Sequence, residues 1–186
     1  HSNSKYRRVS WQCNHKYDGE EKCSTPHLTE DEIKAMFVSA ANKLIGKKAS
    51  IISPLRASLD VAFDIFALEA ETAELQDEIM VVSDLIEKCI YENAHVALDQ
   101  TEYQKRYDSL TARFDTAKTR LEEIEAAIAD KKSRRAAIEA FLDTLTKADL
   151  MEKFDPALWC GLVAFVTVYA KDDVRFTFKD GQEIKA

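Results

Sequence analysis

Apolar residues that step by four and three along the chain form its longest regular signal. Val61, Ile65, Leu68, Thr72, Leu75, Ile79, Val82, Ile86 and Cys89 keep this spacing without a slip. It predicts one continuous helix that starts near Ser53-Pro54, with the proline in its first turn. A second stripe runs through Tyr103, Tyr107, Leu110, Phe114, Ala117, Leu121, Ile124 and Ile128, and then through Lys131, Arg135, Ile138, Leu142 and Leu145. Asp99 stands at the N-cap position of this helix, with Glu102 three residues on. Heptad spacing sustained over this length predicts a coiled coil. The stripes are mirror-related about a point near Leu98, so that 89 faces 107, 82 faces 114, 75 faces 121 and 68 faces 128. That order is what an antiparallel helical hairpin requires. Lys131 and Arg135 fall opposite Ile65 and Val61, where the helices are expected to part or to meet another surface. Helices of about 40 residues would reach on the order of 60 Å.

Shorter patterns flank the hairpin. From Tyr6 to Cys13 the residues alternate, with Val9, Trp11 and Cys13 on one side and Arg8, Ser10 and Gln12 on the other, as in a strand with one packed face. Asp18-Gly19 supplies a turn that brings Cys23 back toward Cys13. Thr29-Glu30-Asp31-Glu32 reads as a capping box ahead of Ile33, Met36, Phe37, Ala40, Ala41 and Leu44, and Gly46 ends that helix. Asp155 and Pro156 open a short helix in "FDPALWCGLVAF". "VTVYAKDDVRFTFKDGQEIK" then reads as two strands joined at Lys171-Asp172-Asp173, with Val174, Phe176 and Phe178 on one face and a further turn at Asp180-Gly181. The strand around Trp11 is their expected partner. The fold class is therefore α+β, mostly α: a small base of short strands and helices with a long hairpin inserted. Its parts are a segment over 1–52, the arm over 53–148 with its tip near 93–100, and a completing helix and strands over 149–186.

Charge divides the chain unevenly. The net charge is −7 over 186 residues. Residues 1–29 hold five bases against three acids, which leaves −9 for the remainder. An acidic body with one basic end offers that end to an anion. Lys5, Arg7, Arg8 and Lys16 can neutralise phosphates, and Asn14 and His15 lie where they could reach base edges. No stretch resembles a signal peptide or a membrane span, so no membrane partner is expected and a reducing cytosol is the default compartment. The opening "HSNSKYRR" reads like the middle of a turn, and the chain is expected to be a fragment.

Candidate chemistry centres on cysteine. Cys13, Cys23, Cys89 and Cys160 are too dispersed for a compact disulfide framework. Cys89 and Cys160 read as buried small apolar residues. Cys13 and Cys23 make half of a structural zinc site, for which four ligands are the rule. A local set of Cys13, His15, Cys23 and His27 is the weaker way to complete it. The four glycines stand alone, which excludes dinucleotide-binding and P-loop fingerprints. His95, Glu92 and Asp99 cluster near the tip without a catalytic pattern, and neither catalytic residues nor a small-molecule substrate are expected.

"WQCNHKYDGEEKCSTPHLTEDEI", then a helix, a long hairpin with "ENAHVALDQTEYQKRY" at its turn, and finally "FDPALWCGLVAFVTVY…VRFTFKDGQEI" together resemble the C-terminal part of the large serine recombinases. These are the integrases and transposon recombinases of phages and other mobile elements, and the resemblance covers almost the whole chain. It implies a zinc ribbon that binds double-stranded DNA and a coiled-coil arm growing out of it. It also implies zinc ligation by Cys13 and Cys23, completed by a CxxC pair upstream. The chain departs from the pattern there, because it begins after that pair would have ended. The serine catalytic domain is likewise absent, so the expected role is DNA binding and control of synapsis during integration or excision. At the tip, Val96 and Leu98 occupy a turn where a solvent loop would favour Gly, Asn or Ser, with Tyr91 and Tyr103 beside them. The resemblance implies that this tip docks on other recombinase subunits.

Two other readings compete. A structural coiled-coil interaction protein without a DNA role accounts for the heptads but not for the paired cysteines or the basic start. A zinc-hook hairpin calls for a CxxC at the tip, and the tip has none.

Overall fold

The computed structural model describes residues 8–13, 23–97 and 99–186. Among the described residues the fold is mostly helical with two small antiparallel sheets. It comprises two compact units, His1–Leu59 with Ala136–Ala186, and Asp60–Arg135.

In the first unit, β1 (Ser10–Trp11) pairs antiparallel with β2 (Leu28–Thr29). Helix α1 (Glu30–Ile45) follows at once. The Thr29 hydroxyl accepts the Glu32 amide at 3.2 Å, and the Glu32 carboxylate accepts the Thr29 amide at 2.8 Å, which completes the capping box. Gly46 ends the helix. Helix α1 buries Ile33, Phe37, Ala40, Ala41 and Leu44 of the face read from the sequence, and leaves Met36 half-buried.

Helix α2 (Lys48–Ala62) begins five residues before the expected Ser53-Pro54 start, and Pro54 lies inside it. Tertiary anchors explain the earlier start. The Lys48 ammonium donates to the carbonyls of Ala148 at 2.7 Å and Thr146 at 3.4 Å, and Ile51 is buried. These contacts outweigh the local penalty of an interior proline.

Helix α5 (Pro156–Leu162) is capped by the Asp155 carboxylate, which accepts the amides of Ala157 and Leu158. A Cβ on Gly161 would lie 2.7 Å from a Thr144 methyl, so glycine permits the close approach of α5 there. Strands β3 (Val163–Ala170), β4 (Asp173–Phe178) and β5 (Glu183–Lys185) form a meander in the order β3-β4-β5. Val174, Phe176 and Phe178 turn inward as the alternation predicts. The expected pairing of these strands with the Trp11 strand does not occur, because β5 takes the place beside β4 and β2 satisfies β1. Among the described residues the Trp11 strand shrinks to two residues, and Tyr6 lies outside them. Phe37, Phe154, Trp159 and Phe176 form one ring cluster, with Phe37 and Trp159 centroids 5.0 Å apart. Cys160 is exposed and not buried as expected, since Trp159 and Leu162 take the inward positions of α5.

Helices α3 (Phe66–His95) and α4 (Gln100–Lys147) supply the second unit, and α4 also contributes to the first. Cross-helix ion pairs join Glu92 to Arg106, Glu78 to Arg113, Glu71 to Arg120 and Glu69 to Lys132. Partner numbers rise on one helix as they fall on the other, so the two helices pair antiparallel. Val82, Cys89, Ala117 and Ile124 are buried, and the remaining stripe positions from Leu68 to Ile128 are half-buried.

The helix expected to run unbroken from Ser53 to Cys89 is interrupted at 63–65, although its apolar spacing does not slip. Val61 is consequently 83% exposed. The reason lies on α4. Lys131 donates to the Asp64 carbonyl at 2.8 Å, Arg135 pairs with the Asp60 carboxylate at 2.8 Å, and the Arg134 guanidinium lies over the Phe63 ring. These cations meet the carbonyl end of α2, where a helix favours positive charge. On the far side of the break the Asp64 carboxylate accepts the Phe66 amide at 3.0 Å and so opens α3.

Candidate functional site

Cys13 and Cys23 flank residues 14–22 and are both partly exposed and free of disulfides. The Cys23 sulfur lies 3.0 Å from the Thr25 hydroxyl. Two thiols fit half of a structural zinc site, and their chemistry suits the ion. Among the described residues no group of three or more His, Cys, Asp or Glu is placed to hold a metal. His15, one member of the local four-ligand alternative, lies outside the described residues, as do Lys5, Arg7, Asn14 and Lys16.

Arg8 is the one predicted DNA contact that is described. It is exposed and lines a shallow polar pocket with Glu30, Asp31 and Lys34 at the start of α1. Glu30 there pairs with Lys34 at 2.7 Å.

The predicted tip residues separate by exposure. Tyr91 and Val96 are exposed at 64% and 56%, whereas Tyr103 is half-buried, with its ring centroid 6.0 Å from that of Tyr107. Leu98 lies outside the described residues. Val96 therefore does not close the end of the seam. Local bonds hold the tip instead. The Tyr91 and His95 rings stack at 4.1 Å, and Gln100 donates to the Asn93 side-chain oxygen at 3.0 Å. The Asp99 carboxylate accepts the amides of Thr101 and Glu102. Those amide bonds hold its pKa below the usual aspartate value.

An apolar cleft of about 470 Å³, not expected from the sequence, runs along β3. Trp11, Cys13, Pro26, Trp159, Phe165 and Val166 contribute to its lining. Trp11 and Phe165 remain exposed there. The uncharged run of β3 was its available signal.

No helix among the described residues is long and apolar enough to cross a membrane. The chain matches no protein-family model, and comparison with curated proteins and with solved structures gives no match.

Proposed function

We propose that this chain is the DNA-binding and synapsis-regulating part of a large serine site-specific recombinase, active in integration or excision of a mobile element. The order of its parts carries the reading. A two-cysteine segment and two helices lead into two long antiparallel helices, after which the chain returns to the unit in which it started. A coiled-coil arm inserted into a zinc-ribbon base has this layout.

In this role Cys13 and Cys23 supply two of the four zinc ligands, and zinc would tie the ends of the intervening knuckle together. Lys5, Arg7, Arg8 and Lys16 neutralise phosphates, while Asn14 and His15 reach base edges. The α3–α4 pair forms the arm, and its exposed Tyr91 and Val96 dock on the arm of another subunit. A contact of that size buries well under the ~1,000 Å² of a stable complex and is weak alone. It becomes effective when DNA holds two subunits at high local concentration.

The test uses the full-length recombinase carrying this part. Val96→Asp combined with Leu98→Asp is expected to leave folding and DNA binding intact while changing synapsis or its direction. Normal recombination in both directions by the folded double variant would sink the arm-tip role.

A further inference from the structure

The described residues hold a second basic surface, far in sequence from the basic first residues. Lys43 in the last turn of α1, Lys47 in the turn after it, and Lys185 of β5 line one groove of about 590 Å³, together with Asn42 and Gln182. All three lysines are exposed. Lys43 donates to the Lys185 backbone carbonyl at 2.8 Å, a neutral acceptor that leaves its charge uncompensated. Among the described residues no carboxylate pairs with Lys47, whereas Lys185 forms a long ion pair with Asp173 at 3.9 Å. Glu183 is the one acid in the lining, and Arg175 already engages it at 3.0 Å. The Asn42 amide is likewise committed, donating to the Met151 carbonyl and accepting the Met151 amide.

A locally positive groove on a chain of net charge −7 is against the trend of the molecule. The negative end of α1 accounts for one cation in its last turn. It does not account for Lys185, which arrives from a strand about 140 residues later. The Lys43 and Lys47 ammonium groups, with the weakly paired Lys185 beside them, are suited to a row of phosphates, which demand charge and make no call on base identity.

We propose that the Lys43–Lys47–Lys185 groove is a phosphate-backbone contact for double-stranded DNA, additional to the basic first residues. This rests on the reading of the chain as a DNA-binding part. The contact is sequence-independent and positions the duplex along the α1–β5 side of the first unit.

Binding of a labelled 30-base-pair duplex to the 186-residue chain, followed by fluorescence anisotropy across a salt series, tests it. Each phosphate neutralised contributes about 0.9 to the slope of log affinity against log salt. Lys43→Gln/Lys47→Gln/Lys185→Gln is expected to reduce that slope by roughly 2 to 3. Lys88→Gln/Lys105→Gln/Lys118→Gln, the same charge change on α3 and α4, is expected to leave it nearly unaltered. Circular dichroism confirms that both variants fold. Equal slopes for the groove variant and the control would overturn this contact while leaving the DNA reading in place. A wild-type chain that does not bind the duplex at low salt would overturn both. Preference for duplex RNA, lost in the groove variant, would overturn the assignment of DNA as the partner.

Discussion

The two units of this chain hold themselves together differently. The first buries large rings: Phe37, Phe141, Phe176 and Phe178 are each 1% exposed or less. The second seals with Val82, Cys89, Ala117 and Ile124, and no aromatic side chain in it is fully buried among the described residues. The cause is geometric. In the first unit a sheet, α1, α5 and the end of α4 enclose a common interior, whereas two paired helices offer each seam residue only one neighbour. Most stripe positions of α3 and α4 therefore keep a solvent side. Charged pairs on either side of the seam set the helix register but add little stability, because they are exposed. The second unit can in this way open locally at lower cost than the first.

The sharpest break in that contrast is Phe37→Ala. Removing the ring at the centre of the aromatic cluster should cost about 3–5 kcal/mol. Urea unfolding followed by tryptophan emission measures it, with Trp159 in the cluster as the main reporter. A loss under about 1 kcal/mol would mean that the cluster is not the principal support of the first unit.

Ile124→Ala should cost less, about 2–3 kcal/mol, since the neighbouring seam positions are half-solvated already. Its effect should also be confined. Amide exchange is expected to accelerate in α3 and the facing part of α4 while β3 and β4 keep their protection. Equal acceleration in both units would show that they open as one cooperative body.

The smallest effect belongs to the ion pairs. The Arg120 guanidinium holds the Glu71 carboxyl below its ordinary value of 4.5. A depressed carboxyl contributes stability that is present above the unfolded value and lost as pH falls through the lower folded one. Acidification below about pH 4.5 should therefore weaken the second unit, and Arg120→Gln should blunt that response. The shift in melting temperature at neutral pH should be smaller than for Ile124→Ala and should vanish in 1 M salt, where screening acts over about 3 Å. A salt-independent shift as large as that of Ile124→Ala would make the charges, and not the seam, the main support of this unit.

The contrast also explains which features could be read from residues alone. Thr29 with Glu32, Asp99 with Glu102, and Asp155 with its first-turn amides are bonds within three residues, so their chemistry is complete in a short window. The seam stripes were legible because burial on a helix repeats with a fixed period, and that period persists for many turns. The inward face of Val174, Phe176 and Phe178 followed from alternation in the same way. Of the candidate site, the expectation that Cys13 and Cys23 act together and that Tyr91 and Val96 mark the tip rested on residue types and spacing. The lysine groove did not, since Lys43 and Lys185 are distant in sequence and meet only when β5 packs beside the end of α1.

Local bonds and long periodic faces were thus determined by the order of residues itself: the caps of α1, α4 and α5, and the inward sides of α1, β4 and the paired stretch of α3 and α4. Partner choice was left to the tertiary structure. Near Phe63 only Asp64 hints at a break, and the other groups that favour it, Lys131, Arg134 and Arg135, lie about 70 residues away on α4. Nothing in β1 names β2 over β3, because a two-residue strand carries too little pattern to specify its mate. Long-range choices of this kind depend on which backbone groups remain unpaired once the core has closed, and that is settled only by the assembled fold.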